Sequence, residues 1–165
     1  MGRHTATACS SIDLVTVNYR SENSIRRLHA SLAGVAEQRP GSRLIVVDCS
    51  GTASDLAKGG SFPIVVVDPG RNVGFAAGSN AGFAASRTDV VTFVNPDVVV
   101  DADQLLRLID EGASSEAVAW TGQLRNADGS LQSNTARRPS FWRQAVEDLT
   151  GADTRLDRTR CGPST

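Results

Sequence analysis

Four short aliphatic runs, Ile12 to Val17, Leu44 to Val47, Ile64 to Val67 and Val90 to Val94, constrain this chain more than any other feature. Each is short for a buried helix, and none shows the strict alternation of a strand with one wet face. Continuous β-branched runs are how strands buried on both faces of a parallel sheet read. Parallel neighbours cannot be joined by tight turns, so a crossover must lie between them. The intervening segments supply helical patterns. Between Glu22 and Ala36 the residues Ile25, Leu28, Leu32 and Val35 keep helical spacing, with Arg26, Arg27 and Glu37 for the wet side and Ser21 as N-cap. Between Asp101 and Glu111 the apolar set is Leu105, Leu108 and Ile109; Asp101 and Gln104 open this helix as a capping-box-like pair, and Gly112 closes it. The alanine-rich stretch Ala76 to Ser86 reads as another helix, although Gly78 and Gly82 each weaken it by about 1 kcal/mol relative to alanine. Strand and helix alternate, so the fold class is α/β, a mostly parallel sheet flanked by helices.

Beyond Gly112 the pattern changes. Ala117 to Trp120 reads as a strand, Asn126 to Gly129 as a turn and Ser130 to Asn134 as its returning arm, which gives a hairpin over Gly122 to Ser133. Phe141, Trp142, Ala145, Val146 and Leu149 share helical spacing, and Gly151 to Thr165 is a loose tail of mixed charge. The expected organisation is a flexible segment over 1–11, a single domain over 12–139, and a helix with its tail over 140–165.

The 165 residues balance 17 Lys+Arg against 18 Asp+Glu, and a formal charge of -1 sets up no field that would gather nucleic acid. With 40% hydrophobic residues the chain can bury a core, which excludes disorder as its whole character. Cys9, Cys49 and Cys161 are an odd, widely spaced set, pointing to neither a zinc knuckle nor a disulfide framework, and fitting a reducing compartment. Met1 to Ser11 has no apolar stretch, and no run approaches the ~20 apolar residues of a spanning helix. The expected location is the cytoplasm.

Ligands of open parallel sheets bind outside the carboxyl ends of the strands. The first candidates are therefore Asn18-Tyr19-Arg20, Asp48-Cys49-Ser50-Gly51, Asp68 to Gly82, and Asn95-Pro96-Asp97. Taken by themselves, Asn-Pro-Asp is equally a good turn, and Asp48 equally a cap for the turn through Ser50 and Gly51. Gly74, Gly78 and Gly82 match neither a dinucleotide fingerprint nor a P-loop; they either admit a ligand close to the backbone or allow tight helix-on-sheet packing. Cys49 reads as a small buried hydrophobe, and His4 and His29 do not resemble ligands.

Five stretches taken in order make a stronger pattern: Val15-Thr-Val-Asn-Tyr19, Ile45-Val-Val-Asp-Cys-Ser50, Asn72-Val-Gly-Phe-Ala-Ala-Gly-Ser-Asn80, Phe93-Val-Asn-Pro-Asp97, and Asp128-Gly-Ser-Leu-Gln132 followed by Arg137-Arg-Pro139. Together they span Ile12 to Pro139 and resemble the nucleotide-sugar glycosyltransferases of family 2, especially the rhamnosyltransferase-like branch. The resemblance implies the Rossmann-like, nucleotide-sugar-binding half of a GT-A fold, followed by a hairpin and helix. It makes Asp97 the carboxylate that holds Mg²⁺ or Mn²⁺ against the donor diphosphate, as suits a hard oxygen ligand. Asn95 stands where many relatives carry a first aspartate. Asp48 is implied to contact the nucleotide base, while Arg71, Asn72, Gly74 and Asn80 line the nucleotide-sugar pocket. Asn18 and Tyr19 border the nucleotide, with Tyr19 stacking on the base. Arg137 and Arg138 are either phosphate or acceptor contacts or a solvated loop.

The implied activity is inverting transfer of a sugar from a dTDP- or UDP-sugar to a glycan or lipid-linked acceptor in polysaccharide biosynthesis, at the cytoplasmic face of a membrane. Inversion needs a general base near the acceptor hydroxyl. The family's acidic element for that role is not found: Glu147-Asp148 lacks its surroundings, and the chain after Pro139 is short for the usual acceptor-side half. The chain is thus expected to be a donor-binding half, truncated or completed by a partner chain or a second copy at its apolar C-terminal end. The alternatives are a non-catalytic nucleotide-sugar-binding remnant and an α/β interaction module.

Overall fold

The computed structural model describes residues 10–53, 56, 60–115 and 119–132. The expectations for the N-terminal segment, His4, Cys9, Arg137, Arg138, the Phe141 to Leu149 helix, Glu147-Asp148, Cys161 and the tail lie outside the described residues. Contacts divide the chain into a unit ending at Thr121 and another beginning at Gly122.

The aliphatic runs become β1 (Asp13–Asn18), β2 (Arg43–Asp48), β3 (Ile64–Val67) and β4 (Val91–Phe93), which form one sheet in the order β3-β2-β1-β4. All three pairings are parallel. β1 and β2, the inner strands, are buried almost throughout, whereas every residue of β3 is only partly buried and Phe93 at the end of β4 is half exposed. The expectation of burial on both faces therefore holds for the inner pair and fails for the edges, which have a neighbour on one side only.

The helices are α1 (Glu22–Ser31), α2 (Ala33–Gln38), α3 (Phe75–Ala84) and α4 (Ala102–Ala113). One continuous helix was expected to reach Ala36, but it breaks at Leu32, whose N–H bonds three residues back to the His29 carbonyl. The break redirects the chain so that Gly34 lies against Ala102 Cβ, where a methyl group would stand at 2.9 Å. Arg39 then makes a forked contact with Asp110, at 2.9 and 2.7 Å, and fastens the end of α2 to α4. Ile12, Leu14, Ile25, Leu28, Leu32, Val35, Leu44, Val46, Leu106 and Ile109 build the core on this side of the sheet.

Asp101 caps α4 as expected: its Oδ1 accepts the Gln104 N–H at 3.0 Å, and the Gln104 amide reaches back to Oδ2 at 3.3 Å. The buried apolar face differs from the sequence reading, since Leu106 rather than Leu108 accompanies Ile109 inside. Gly112 does not end the helix. It lies within the last turn under Trp120, where any Cβ would overlap the indole ring. Ala119 and Trp120 are not in a strand, and Ala117 and Val118 lie outside the described residues.

The opposite face carries a smaller core of Val15, Ile45, Val47 and Cys49, covered by α3. Only glycine permits this approach: a Cβ at Gly82 would overlap Val15 Cγ1 and stand 3.1 Å from Val47 Cγ2, and one at Gly78 would stand 3.1 Å from Val17 Cγ1. The tight-packing alternative is thus the one realised at Gly78 and Gly82. In the second unit β5 (Leu124–Arg125) pairs antiparallel with β6 (Leu131–Gln132) around the turn closed by Gly129 at φ 81°, a shorter hairpin than expected.

Two stability changes follow. Gly82→Ala loses about 1–3 kcal/mol by pushing α3 off the sheet. Thr16, 1% exposed and facing the larger core, has a hydroxyl with no hydrogen-bond partner among the described residues. Thr16→Val removes that orphan at constant shape and gains about 1 kcal/mol. Urea unfolding checks both, through opposite shifts of the midpoint.

Candidate functional site

β1 and β2 end side by side, with Asn18 paired to Asp48 in the parallel register. Asn18 is fully buried. Its Nδ2 lies 3.0 Å from Asp48 Oδ1, 3.2 Å from Ser50 Oγ, 3.3 Å from Thr52 Oγ1 and 3.5 Å from Glu22 Oε1, so an amide with two hydrogens sits among four acceptors. Its Oδ1 accepts the Ser21 N–H at 3.0 Å. That bond does the work expected of Ser21, which occupies the N-cap position of α1 but turns its own hydroxyl to the Tyr19 carbonyl.

Asp48 is spent in the same manner. Oδ1 accepts the backbone N–H groups of Ser50 and Gly51 and the Ser50 hydroxyl, each at 3.1 Å, in addition to Asn18, while Oδ2 accepts the Ala53 N–H at 2.7 Å. Burial pushes this carboxyl up, but the donors, led by the N–H groups of Ala53 and Ser50, outweigh it and hold it below the ordinary carboxylate value. The turn-capping reading of Asp48 is therefore realised here. Glu22, the first residue of α1, accepts the Thr52 hydroxyl and so braces the helix against the same loop. Chiefly that bond holds the Glu22 carboxyl below its usual value.

Above this buried layer the next residues are exposed. Tyr19 is 50% exposed, and the Arg20 guanidinium lies 5.5 Å from its ring centroid. Arg20 is the non-glycine residue with positive φ, 57°, among the described residues, and its N–H donates to Ser50 Oγ at 3.2 Å.

The loop after β4 is pinned at both ends. The Val94 N–H donates to the Val15 carbonyl at 2.9 Å, and the Val100 N–H to Ser31 Oγ at 3.0 Å, which ties the loop to α1. Between those anchors Asn95 and Asp97 are exposed, and the Asn95 carbonyl closes the turn by accepting the Val98 N–H at 3.2 Å. The Asp97 carboxylate takes no hydrogen bond among the described residues, so both oxygens are open to a hard cation. No cluster of three or more His, Cys, Asp or Glu able to hold a metal occurs among the described residues. A lone free carboxylate suits a cation shared with a ligand's own oxygens rather than one caged by protein.

Between β3 and α3 two Asx turns shape the chain: Asp68 Oδ1 accepts the Gly70 N–H at 2.7 Å, and Asn72 Oδ1 the Gly74 N–H at 3.0 Å. Gly74 needs its glycine for conformation, with φ 78° and open space where a Cβ would stand. Arg71, Asn72 and Asn80 are exposed. Gly78 faces Val17 and Cys49 and offers nothing to a ligand, which corrects the close-approach reading for that residue.

Of the candidates, the structure joins Asn18 to Asp48 directly. Tyr19, Arg71, Asn72, Gly74, Asn80, Asn95 and Asp97 follow the strand ends, and no hydrogen bond links them to that pair among the described residues. Sequence reasoning gave no role to Glu22, Thr52 or Ser31, and named Arg20 only as a strand-end residue. An acid in the first turn of α1 and the Ser/Thr-rich stretch after β2 were the signals available for the first two.

A carboxyl held low in the folded state stabilises it fully above the unfolded value, and that contribution is lost as pH falls from about 3.8 through the depressed folded value. Asp48→Asn should cost about 2–3 kcal/mol at pH 7. In urea titrations its deficit relative to wild type narrows as the pH is lowered past that range; a constant deficit would contradict the assignment.

Comparison with known proteins agrees with this architecture. The hexosyltransferase Agl10 of low-salt glycan biosynthesis in Haloferax volcanii is 28% identical over 128 residues, which are 74% of this chain and 39% of that protein. The chain thus spans about two fifths of that relative, 39% of its length. Residues 1–349 of TarS from S. aureus superpose with a TM-score of 0.52 and 23% identity over 61% of this chain and 32% of that one, and TarS 1–349 has also been solved with UDP-GlcNAc. The mannosyltransferase PcManGT of Pyrobaculum calidifontis, solved with GDP-Man and Mn²⁺, superposes with a TM-score of 0.54 and 16% identity over 66% of this chain and 34% of that one. These likenesses bear out the α/β, GT-A-like architecture expected from the sequence. The family model of glycosyl transferase family 2 matches residues 13–163, nearly the whole chain, and the protein belongs to that family.

Proposed function

We propose that this chain is the donor-binding part of a sugar transferase that takes a nucleoside diphosphate sugar, with UDP- or dTDP-sugars as the donors and a glycan or lipid-linked acceptor at the cytoplasmic face of a membrane. The observation that carries the reading is the free Asp97 carboxylate, exposed on a loop anchored to β1 and to α1, just past the strand where the sheet order reverses around β1. Ligands of open α/β sheets enter at that point. Support comes from the family membership and from the UDP-GlcNAc, GDP-Man and Mn²⁺ of the TarS and PcManGT structures.

In this reading Asp97 would hold Mg²⁺ or Mn²⁺, with Asn95 beside it in place of a second carboxylate. The cation supplies positive charge at the leaving diphosphate. The protein's own part is placement. Tyr19 offers a ring face to the base, Arg71 a forked donor to phosphate oxygens, and Asn72, in the turn before α3, and Asn80, on α3, polar contacts. Asn18 and Asp48 fix the loops from beneath. The general base that accepts the acceptor's proton is not among the described residues in our assignment, and the rhamnosyltransferase-like character and inversion stay part of the proposal. So does a second copy or partner chain that completes the acceptor side.

Calorimetric titration of UDP and dTDP tests the reading. With Mn²⁺ or Mg²⁺ present, one of them binds; EDTA or Asp97→Ala weakens binding by about tenfold or more, the equivalent of one charge-assisted contact. Absence of binding to both nucleotides by the folded chain would refute it in favour of an interaction module. Binding without transfer of labelled sugar would identify a non-catalytic remnant.

A further inference from the structure

We infer that Ser31 is a positioning residue for Asp97, holding the loop after β4 in the shape that takes a divalent cation; the inference rests on the donor-binding reading above. Ser31 ends α1, and its hydroxyl has one hydrogen and two lone pairs. The hydrogen goes to the Leu28 carbonyl at 2.6 Å. That bond turns the lone pairs toward the Val100 N–H, which donates to Ser31 Oγ at 3.0 Å. The break after α1 makes the arrangement possible. In a continuous helix the Leu32 N–H would bond four residues back, to the Leu28 carbonyl. Here it bonds to the His29 carbonyl, and the Leu28 carbonyl takes the Ser31 hydroxyl instead.

Asp97 lies midway between the two anchors of its loop, the Val94 N–H on the Val15 carbonyl and the Val100 N–H on Ser31. Asn95, Asp97 and Val99 are exposed between them, Val99 at 72%, so the anchors carry much of the definition of this segment. Asp97 belongs to no metal-binding cluster among the described residues, and no ligand set is there to correct its aim. Its grip on a cation therefore depends on order already present, because freedom left in the loop is lost when the cation is bound.

The helix that bears Ser31 is itself held at its other end. Asn18 Oδ1 accepts the Ser21 N–H at the start of α1, and Glu22 accepts the Thr52 hydroxyl from the loop after β2. The Asp97 loop thus hangs from a helix that the ends of β1 and β2 keep in place. Ser31 acts through the Val100 N–H, and no contact of its own with a ligand is invoked.

The test uses the full chain, first without metal or nucleotide. Amide hydrogen exchange should find the Val100 N–H protected in wild type and unprotected in Ser31→Ala, with Val94 unchanged. Calorimetry with UDP and dTDP follows. Ser31→Ala should bind the preferred nucleotide about fivefold more weakly than wild type with Mn²⁺, the worth of one neutral hydrogen bond, and equally well in EDTA. In an Asp97→Ala background the same substitution should change nothing, because the group it positions is gone. Ser31→Thr, whose hydroxyl can make the same backward bond, should restore both affinity and protection. Ser31→Cys, similar in size but a weak acceptor, should behave as Ser31→Ala does, and its comparison with Ser31→Thr decides the matter if the alanine variant folds poorly. A loss that persists in EDTA or in the Asp97→Ala background marks a merely structural serine and overturns the inference. Unchanged Mn²⁺-dependent affinity once Val100 has lost its protection overturns it as well. Both results leave the donor-binding reading standing, whereas a wild-type chain that binds neither nucleotide overturns that reading and this inference with it.

Discussion

The Asp13 carboxylate, fully buried at the start of β1, takes four hydrogen bonds: a fork from Arg43 at 2.9 and 2.6 Å, the Ser86 hydroxyl at 3.0 Å and the Arg87 N–H at 2.8 Å. Burial raises its pKa, and these donors together with the Arg43 charge more than offset that, so it stays ionised. A buried carboxylate left unpaired would cost about 3–5 kcal/mol, which makes this knot intolerant of slippage. Arg43 opens β2, and Ser86 and Arg87 lead into β4, so one side chain sets both neighbours of the central strand. Thr88 completes the arrangement, its Oγ1 accepting the Asp13 N–H and donating to the Val90 carbonyl.

Register fixed at that end decides what meets at the other. With Asp13 opposite Arg43 and Val91, the strands deliver Asn18 beside Asp48, and β4 ends opposite Val15, so the Asn95 to Asp97 loop emerges next to β1. A slip of one residue would exchange the faces of every side chain on the moved strand. It would put Val47 where Asp48 binds Ala53, and it would part Gly82 from Val15. The site geometry is thus a consequence of core packing and one ion pair, not of the loops that carry the site.

The strands were legible because β-branched runs have few alternatives, and the α4 cap because Asp101 and Gln104 act within one turn. Less local features were not. The break at Leu32 is imposed by the docking of Gly34 on Ala102, a contact 68 residues away along the chain by the residue numbers. Leu106 and Leu108 are equally apolar, and only the position of α4 on the sheet decides between them. Asn18 and Asp48 stood out in the sequence as candidate nucleotide contacts, and the structure adds their bonds to each other and to the loops after β1 and β2, which no local pattern announced. Ser31 gave no signal at all, since a serine in the last turn of a helix is unremarkable until the Val100 N–H arrives on it.

Hydrogen bonding divides the candidate site into two layers. Asn18, Asp48 and Ser50 form the lower one, where each side-chain polar atom has a protein partner. Tyr19, Arg20, Arg71, Asn95 and Asp97 form the upper one, exposed and sparsely bonded. Buried amides and carboxylates are costly to leave unsatisfied, so a lower layer that released its bonds to take a ligand would lose the loops that define the site. Exposed groups keep their water until a ligand replaces it, and their contacts can form without disturbing the fold. Asp97, which follows β4, and Arg20, which bonds to Ser50 after β2, both belong to the upper layer on opposite sides of β1, and the central strand held by Asp13 sets where each emerges.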